Sequence, residues 1–428
     1  MAGLSSYISH WAFRLVCFGI LLSLAMLQLF IARHEQTVHS NASGSSAIVE
    51  SLYSPYLLTW HGKRLHLLEG DMTRAERLFQ RALQQNPFFI PAWLGLAELH
   101  NDLGRKAASQ AILQYVDQLS TDISRWRWDK ALLTYQLGRF DILERDLAYI
   151  IAKIPGKSRQ NALKMAFSIW NDPQVLLSRL GTDNVLYLFN YAAQTAQLDT
   201  ALALWPYIEE MGVEANKKDV LAFLNALILD QKIAAAIPIW RKYFNAGSLL
   251  YDGGFQEEPL NTAFGWRIGK PKGSTWRIEK NKGVEKFQAM RLHFSGTENI
   301  SYSHLSQIMP LVPARSYSLS GWLKTAGLTT DQRPYLEVVG SQCTMPPATT
   351  EIMAKDQPWT PFALVFNVPA ECAAVEMRVR RLPSKHLDNL LAGDLWLRDL
   401  RIDDAVDLSL QTKLLIQDLR ILDTGANP

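Results

Sequence analysis

Three glycines recur at a fixed interval of 34 residues: Gly70, Gly104 and Gly138. A constant period of this length indicates one supersecondary unit that is repeated along the chain. Each copy has an apolar face that it cannot cover alone, so neighbouring copies must stack to bury it. The first half of the chain is therefore predicted to be an α-helical solenoid, an architecture that favours binding over catalysis.

Other residues keep the same phase. Ala97 and Ala131 are one period apart, and Pro87 and Pro155 are two periods apart. The phase glycine is expected to end one helix in a left-handed turn, and the proline to close the second helix. Between Gly70 and Pro87 the apolar residues fall on one helical face. They are Ala75, Leu78, Phe79, Ala82 and Leu83.

This pattern resembles the tetratricopeptide repeat family, whose arrays bind protein partners on a concave surface. The likeness covers 52–245 and is strongest up to Pro155, beyond which the helical pattern continues as degenerate hairpins. In the first unit, Lys63 stands where the family has a small residue. The alternative is an unrelated helical bundle with a chance period. The matching residues are Gly70, Ala75, Phe79, Ala82, Pro87, Trp93, Leu96, Ala97, Gly104, Ala131, Gly138 and Pro155.

Length and charge limit the classes of function. The chain has 428 residues, enough for two or three domains, and its formal net charge is only +3. Such a balance, with no basic stripe among aromatics, gives no indication of nucleic-acid binding.

The N-terminal segment 1–32 contains an apolar run, about 11–32, with a single charge at Arg14. Its length suits a bilayer core of about 30 Å, so we predict an uncleaved anchor helix that contacts the lipid bilayer. A cleaved signal peptide is the competing interpretation, because a small-residue stretch follows at 40–46. Residues 33–51 are rich in Ser, Asn and Gly and are predicted to be a flexible linker.

Two of the three cysteines, Cys343 and Cys372, lie in the second half of the chain. They can form a disulfide in an oxidising compartment or remain as two free thiols. Together with the anchor, they favour a single-pass inner-membrane protein whose bulk is periplasmic.

The period of the sequence changes after Phe244. Nine short segments with alternating apolar residues, separated by Gly, Pro and Asn, predict a β-sandwich of jelly-roll type over 246–404. Residues 405–428 follow as a C-terminal tail. The predicted fold class is thus multidomain, α then β: a transmembrane helix, a solenoid and a sandwich.

Alternation also sorts the strand residues into two faces. The apolar sets are predicted to form the core, and they include Leu319, Met290, Met377 and Leu395. The opposite sets contain tryptophans and cations, which suit the C–H face, hydroxyls and acidic groups of a glycan. The alternative is that the tryptophans pack under a loop or against the helices. The candidate glycan-binding residues are Trp322, Trp396, Arg291, His293, Arg378, Arg380 and Arg398.

The same region resembles the jelly-roll carbohydrate-binding modules of bacterial glycan-active proteins. In that family a carboxylate after the first phenylalanine and an aspartate in the last strand hold a structural calcium. Here Asp399 is present, but Gln256 replaces the first carboxylate, with Glu257 next to it. The resemblance thus implies at most a weakened calcium site and no other cofactor. The matching residues are Gly253, Gly254, Phe255, Gly265, Trp266, Tyr317, Leu319, Ser320, Trp322, Trp359, Phe366, Val368, Pro369 and Asp399.

Motifs for nucleophilic, phosphate or zinc chemistry are absent from the sequence. The sequence therefore predicts a non-catalytic, membrane-anchored scaffold that binds a protein through its repeats and a polysaccharide through its sandwich. A role in envelope or exopolysaccharide assembly or export follows by analogy. Two alternatives stay open: a pure protein–protein scaffold, and a glycoside hydrolase whose carboxylates cannot be recognised in the sequence.

Overall fold

The computed structural model describes Phe18, Leu22, Ser23, Ala25, Met26, 54–120, 123–244, 248–281 and 287–405. Most of the predicted anchor, all of the linker and the tail beyond 405 lie outside these residues. Within them, no helix has the length and apolar character needed to cross a membrane. The chain divides into two compact units, Met1–Tyr187 and Leu188–Pro428.

Helices follow one another over the whole of the predicted repeat region. In chain order they are α1 Pro55–Arg64, α2 Met72–Gln85, α3 Ile90–Asp102, α4 Lys106–Leu119, α5 Arg127–Gln136, α6 Phe140–Lys153, α7 Lys157–Ile169, α8 Pro173–Leu180, α9 Val185–Gln194, α10 Leu198–Glu210, α11 Lys217–Leu229 and α12 Ile233–Tyr243. A π-helical turn, Leu65–Glu69, extends α1, and a 3₁₀ turn, Thr182–Asn184, precedes α9.

The phase residues end helices as predicted. Gly70, Gly104 and Gly138 have φ of 73°, 74° and 68°, the left-handed conformation that glycine adopts without steric cost. Helix α2 ends two residues before Pro87, and α6 ends two residues before Pro155. Both parts of the repeat prediction, the turn and the closing proline, are thus confirmed.

The first repeats pack closely around Phe79, which is fully buried. A Cβ atom added at Gly95 would lie 2.6 Å from Phe79 Cε1, and one added at Gly62 would lie 2.8 Å from it. Gly62 therefore supplies a close approach next to Lys63, where the sequence had indicated none. Two hydrogens in place of two side chains let the ring fill the space between α1 and α3.

In the second unit, α11 and α12 form a final hairpin that contacts the sandwich. The ring of Trp240 lies 5.2 Å from that of Tyr251 and 5.5 Å from that of Phe264, measured between centroids. Asn225 Oδ1 accepts a hydrogen bond of 3.2 Å from Arg267 Nη2. The final hairpin and the strands therefore share a packed, hydrogen-bonded interface.

The predicted β-sandwich is confirmed, with two five-stranded antiparallel sheets. One has the order β1-β4-β9-β6-β7 and the other the order β2-β3-β10-β5-β8. In chain order the strands are β1 Arg267–Ile268, β2 Ser274–Asn281, β3 Phe287–Ser295, β4 Leu305–Pro310, β5 Ser316–Ala326, β6 Tyr335–Gly340, β7 Ala348–Thr349, β8 Gln357–Asn367, β9 Ala374–Arg380 and β10 Ala392–Asp404.

The sandwich core lies where alternation placed it. Met290, Leu319, Met377 and Leu395 are all fully buried in one cluster between the sheets. Since side chains of a strand alternate between its two faces, the neighbours of these residues must point outward. The core prediction thereby fixes which residues are available for binding.

The last strand contains a β-bulge. Its register against β5 shifts between Arg398 and Arg401, and Asp399 has φ of 50°. The extra residue restores alternation, because Leu397, Leu400 and Ile402 are all buried although a regular strand would not place all three on one face. A Cβ on Gly253 would collide with the carbonyl oxygen of Leu400, and Gly253 accepts a 2.9 Å hydrogen bond from Leu400 N.

Candidate functional site

The outward face of the sheet β2-β3-β10-β5-β8 collects most of the candidate residues. Antiparallel pairing places Arg277 opposite Arg291, Arg291 opposite Trp396, and Trp396 opposite Lys324. These four side chains form one row across four strands, although they are far apart in the sequence. The row brings three cations and one indole to the same line of the surface.

A second row lies beside the first. Glu279 pairs with Ala289 on β3, and Arg398 on β10 pairs with Trp322 on β5. Trp322 is 36% exposed, so its ring is accessible to a ligand. Four aromatic side chains lie on this side of the sheet, one each from β3, β5, β8 and β10. We call them the aromatic face: Phe287, Trp322, Trp359 and Trp396.

Arg398 holds three members of the aromatic face together. Its guanidinium carbon lies 4.1 Å from the ring centre of Phe287, 5.0 Å from that of Trp359 and 5.2 Å from that of Trp322. Phe287 and Trp359 meet edge to face at 5.6 Å. Cation–π contacts of this kind fix the ring planes, so a flat ligand would meet preformed aromatic surfaces.

A groove of about 360 Å³ opens on the aromatic face. The small side chain of Ala289 lies on the outward side of β3 and lines this groove, and it is only 2% exposed because larger groups cover it. Larger groups surround that space. They are Glu279, Lys280, Phe287, Lys324, Trp359 and Trp396.

Two carboxylates organise the cations of the first row. Glu279 accepts hydrogen bonds from Trp396 Nε1 at 2.8 Å, Arg291 Nη1 at 3.0 Å and Arg277 Nε at 2.7 Å. Asp394 accepts from Arg291 Nε at 2.8 Å, and its Oδ1 lies 2.9 Å from His293 Nδ1. Arg291 thus bridges the two acids and fixes both.

These contacts decide the protonation of the acids. Partial burial works to raise the pKa of Glu279, but hydrogen bonds from Trp396, Arg277 and Arg291 outweigh it and lower that pKa. For Asp394, burial is likewise outweighed by Arg291 and His293, and the pKa is lowered. Both groups are therefore carboxylates at neutral pH.

The structure brings together five of the seven predicted glycan-binding residues: Trp322, Trp396, Arg291, His293 and Arg398. The other two candidates, Arg378 and Arg380, do not lie beside them. Both lie on β9, in the other sheet, where Arg378 Nε donates to Glu337 Oε2 at 2.6 Å. Arg380 Nη1 lies 3.4 Å from the carbonyl oxygen of Tyr302. Alternation shows that a residue faces outward, but it does not show in which sheet its strand lies.

Several residues of the face were missed. Trp359 comes one residue before the predicted strand 360–369, and Phe287 comes two residues before the predicted strand 289–296. Glu279 lies within a predicted strand, on the same side as Arg277. If the alternating pattern were extended by two residues before the start of each strand, it would identify Trp359 and Phe287. Both residues fall on the outward-facing positions of that pattern.

The remaining predicted site residues lie elsewhere. Asp399 is exposed at the bulge, with its carboxylate 3.5 Å from Arg398 Nη1. In the described ranges, no group of three or more His, Cys, Asp or Glu side chains is arranged to hold a metal ion. Cys343 and Cys372 are joined by a disulfide with a Cα–Cα distance of 5.4 Å.

Comparison with sequence families supports the helical region. The tetratricopeptide repeat model matches residues 66–127. No curated protein matches the chain. The matched segment contains the phase residues Gly70, Ala97 and Gly104, on which the resemblance was based.

Solved structures give matches to each half of the chain. The module TmCBM61, solved with β-1,4-galactotriose, has a TM-score of 0.26 and 16% identity over 37% of this chain and 99% of its own. The CBM22-1 xylan-binding domain of Paenibacillus barcinonensis Xyn10C has a TM-score of 0.24 and 12% identity over 35% and 90%. The Pseudomonas aeruginosa protein pilF has a TM-score of 0.26 and 11% identity over 45% and 93%.

Proposed function

We propose that this protein is a non-catalytic scaffold that binds a polysaccharide on the aromatic face and a protein through its helical repeats. The proposed polysaccharide binding rests on one observation, the aromatic face. Trp359, Trp396 and Phe287 line a groove in a sheet whose opposite side is a closed core, and Trp322 lies beside them on the same face. Flat rings held in place beside charged hydrogen-bonding groups are the surface that a sugar chain requires.

The protein-binding half of the proposal follows from the repeats. Tetratricopeptide repeats at 66–127 present helices at a regular interval, and such arrays bind partners across several neighbouring units. A chain with one surface for a protein and one for a polymer can hold the two together.

The absence of catalysis is part of the proposal. A glycosidase needs a carboxylic acid whose pKa is raised so that it can protonate the leaving oxygen. The two acids that hold the first-row arginines, Glu279 and Asp394, have lowered pKa values because hydrogen bonds from these cations and from Trp396 and His293 stabilise their charged forms. They are suited to fixing Arg291 and Trp396, and a hydrolytic role would require the opposite shift.

We place the scaffold at the inner membrane, anchored by the apolar segment 11–32, with the repeats and the sandwich in the periplasm. The disulfide between Cys343 and Cys372 supports an oxidising compartment, since disulfides are rare where thiols are kept reduced. In that setting the protein would connect an envelope or exopolysaccharide assembly or export machine to its polymer.

Affinity electrophoresis of the full-length protein in detergent, in gels that contain neutral or acidic polysaccharides, tests the glycan half. Retardation is expected on at least one polymer, with Trp322→Ala or Trp359→Ala weakening it about tenfold, as the loss of one stacking surface implies. Leu387→Ala, at a fully exposed residue between β9 and β10, is the matched control. Retardation that is unchanged in both tryptophan variants, or absent on every polymer, would disprove glycan binding by this face.

Cross-linking of the full-length protein in its native envelope tests the protein half. We expect cross-links from 54–187 to concentrate on one protein partner. Cross-links to that partner from the sandwich alone would contradict the assignment of the repeats.

A further inference from the structure

Lys324 is a cation of the groove that forms no ion pair with any described residue of the chain. Its Nζ lies 5.0 Å from the ring centre of Trp396, and its side chain is half-buried in the groove wall. Over the described ranges of the chain, no carboxylate comes within ion-pair distance of this Nζ, whereas Arg277 and Arg291 share Glu279. The lysine is thus held against an aromatic ring and aimed at the space where a ligand would lie.

A half-buried ammonium group without a counter-ion is costly, because burial removes water that the protein does not replace. A ligand that brings an anion into the groove would remove that cost and form a charge-assisted hydrogen bond. The wall also contains Lys280, while the one acid among its described residues, Glu279, is already held by two arginines. The groove therefore has an excess of positive charge.

The other residues that line the groove also favour an anionic ligand. None of the described residues that line the groove is Ser, Thr, Asn or Gln, the side chains that match the paired donors and acceptors of sugar hydroxyls. Recognition in the groove must come from aromatic stacking and from cations. Such a combination discriminates by the charge of the ligand rather than by its pattern of hydroxyl groups.

We infer that the groove selects polysaccharides that carry anionic groups, with Lys324 as the residue that contacts the anion. This inference rests on the proposed glycan binding and adds the chemical class of the glycan. The anion could be a uronate carboxylate or a sulfate ester, which offer the same acceptor oxygens to an ammonium group.

A matched pair of polymers isolates the charge. Polygalacturonate and its fully methyl-esterified form have the same backbone and differ in whether the carboxylate is free. Titration calorimetry of the full-length protein with each, and with dextran and dextran sulfate, compares carboxylate, sulfate and neutral chains. The variants are Lys324→Gln, Lys324→Arg and, as a control for one lost charge, Lys385→Gln in the exposed loop between β9 and β10.

We expect the wild type to prefer an acidic polymer over its neutral counterpart by about tenfold or more, the size of one charge-assisted hydrogen bond. Lys324→Gln should abolish the preference, Lys324→Arg should restore most of it, and Lys385→Gln should leave it unchanged. Preference for dextran sulfate alone would support the inference and assign the anion to a sulfate.

Two results would overturn the inference, and only the second would also disprove the proposed glycan binding. Equal affinity for acidic and neutral polymers, unaffected by Lys324→Gln, would disprove charge selection while leaving glycan binding intact. No binding to any acidic or neutral polymer would remove the proposed function as well. Near-ultraviolet circular dichroism of each variant would show that the sandwich is folded.

Discussion

The indole N–H of Trp396 on β10 reaches across β3 and donates a 2.8 Å hydrogen bond to Glu279 on β2. The strand between them carries Ala289 opposite Glu279, and that small side chain leaves the path open. A larger residue there would both block this bond and fill the groove. The geometry of the candidate site thus depends on a residue with no functional group.

The first prediction concerns Ala289. Ala289→Phe should fill the groove and reduce retention on any bound polysaccharide at least tenfold. Because Ala289 is only 2% exposed, the ring must also displace neighbouring side chains, and the free energy of unfolding should fall by about 1–3 kcal/mol. Affinity electrophoresis and urea unfolding measure the two quantities. Ala289→Ser, which keeps the volume small, should retain binding. Normal retention by Ala289→Phe would show that the ligand lies elsewhere.

The second prediction concerns pH. The pKa values of Glu279 and Asp394 lie below their ordinary values of 4.5 and 3.8, because Trp396, Arg277, Arg291 and His293 stabilise the charged forms against burial. A lowered pKa in the folded state means that the stabilisation is fully present above the ordinary value. It is lost as pH falls through the folded value.

Stability should therefore hold from pH 7 to about pH 5 and fall below about pH 4. In Glu279→Gln that fall should be smaller, since the group no longer titrates. Urea unfolding at pH 6 and pH 3 measures the difference. Glu371→Gln, at an exposed carboxylate between β8 and β9, should behave as the wild type. An identical acid response in Glu279→Gln would contradict the assigned ion pairs.

The third prediction concerns the disulfide. Cys343 and Cys372 are 29 residues apart, and closing a loop of this size stabilises a fold by about 3 kcal/mol. Reduction with dithiothreitol should lower the melting temperature of the sandwich. The variant Cys343→Ala with Cys372→Ala should melt like the reduced wild type and show no further response to dithiothreitol, although it retains Cys17. If dithiothreitol lowered the melting temperature of that variant as much as that of the wild type, the effect would not come from this disulfide.

The fourth prediction concerns the first repeats. Gly95→Ala should destabilise them by about 1–3 kcal/mol, because the new Cβ would meet the buried ring of Phe79 at 2.6 Å. Combining it with Phe79→Leu should cost less than the sum of the two single changes, since the leucine leaves room for the methyl group. A double-mutant cycle by urea unfolding measures the coupling. Strict additivity would show that residues 79 and 95 do not press on one another.

The sequence predicted those parts of the structure that depend on local periodicity. The positions of Gly70, Gly104 and Gly138 follow from a 34-residue period, and their positive φ follows from the turn that each must make. The buried set in β3, β5, β9 and β10 follows from alternation, which needs no knowledge of the partner strand. Each of these properties is determined by residues that lie close together in the sequence.

The candidate site could be predicted only in part, because it depends on which strands are neighbours. Trp322 and Arg398 face each other only because β5 pairs with β10, 76 residues later in the chain. Arg378 points outward as predicted, yet β9 pairs with β4 and β6, and this takes it to the other sheet. Long-range pairing of this kind leaves no periodic signal in the chain.

The contact between the final hairpin and the sandwich has a consequence for how the molecule melts. Secondary structure changes from helix to strand after Tyr243, but the compact unit that includes the strands begins at Leu188. Trp240 and Phe264 lie on opposite sides of that change and are each about 1% exposed. In calorimetry the last helices should therefore absorb heat in the same transition as the strands, and proteolysis between 244 and 248 should leave two fragments that stay associated until that transition.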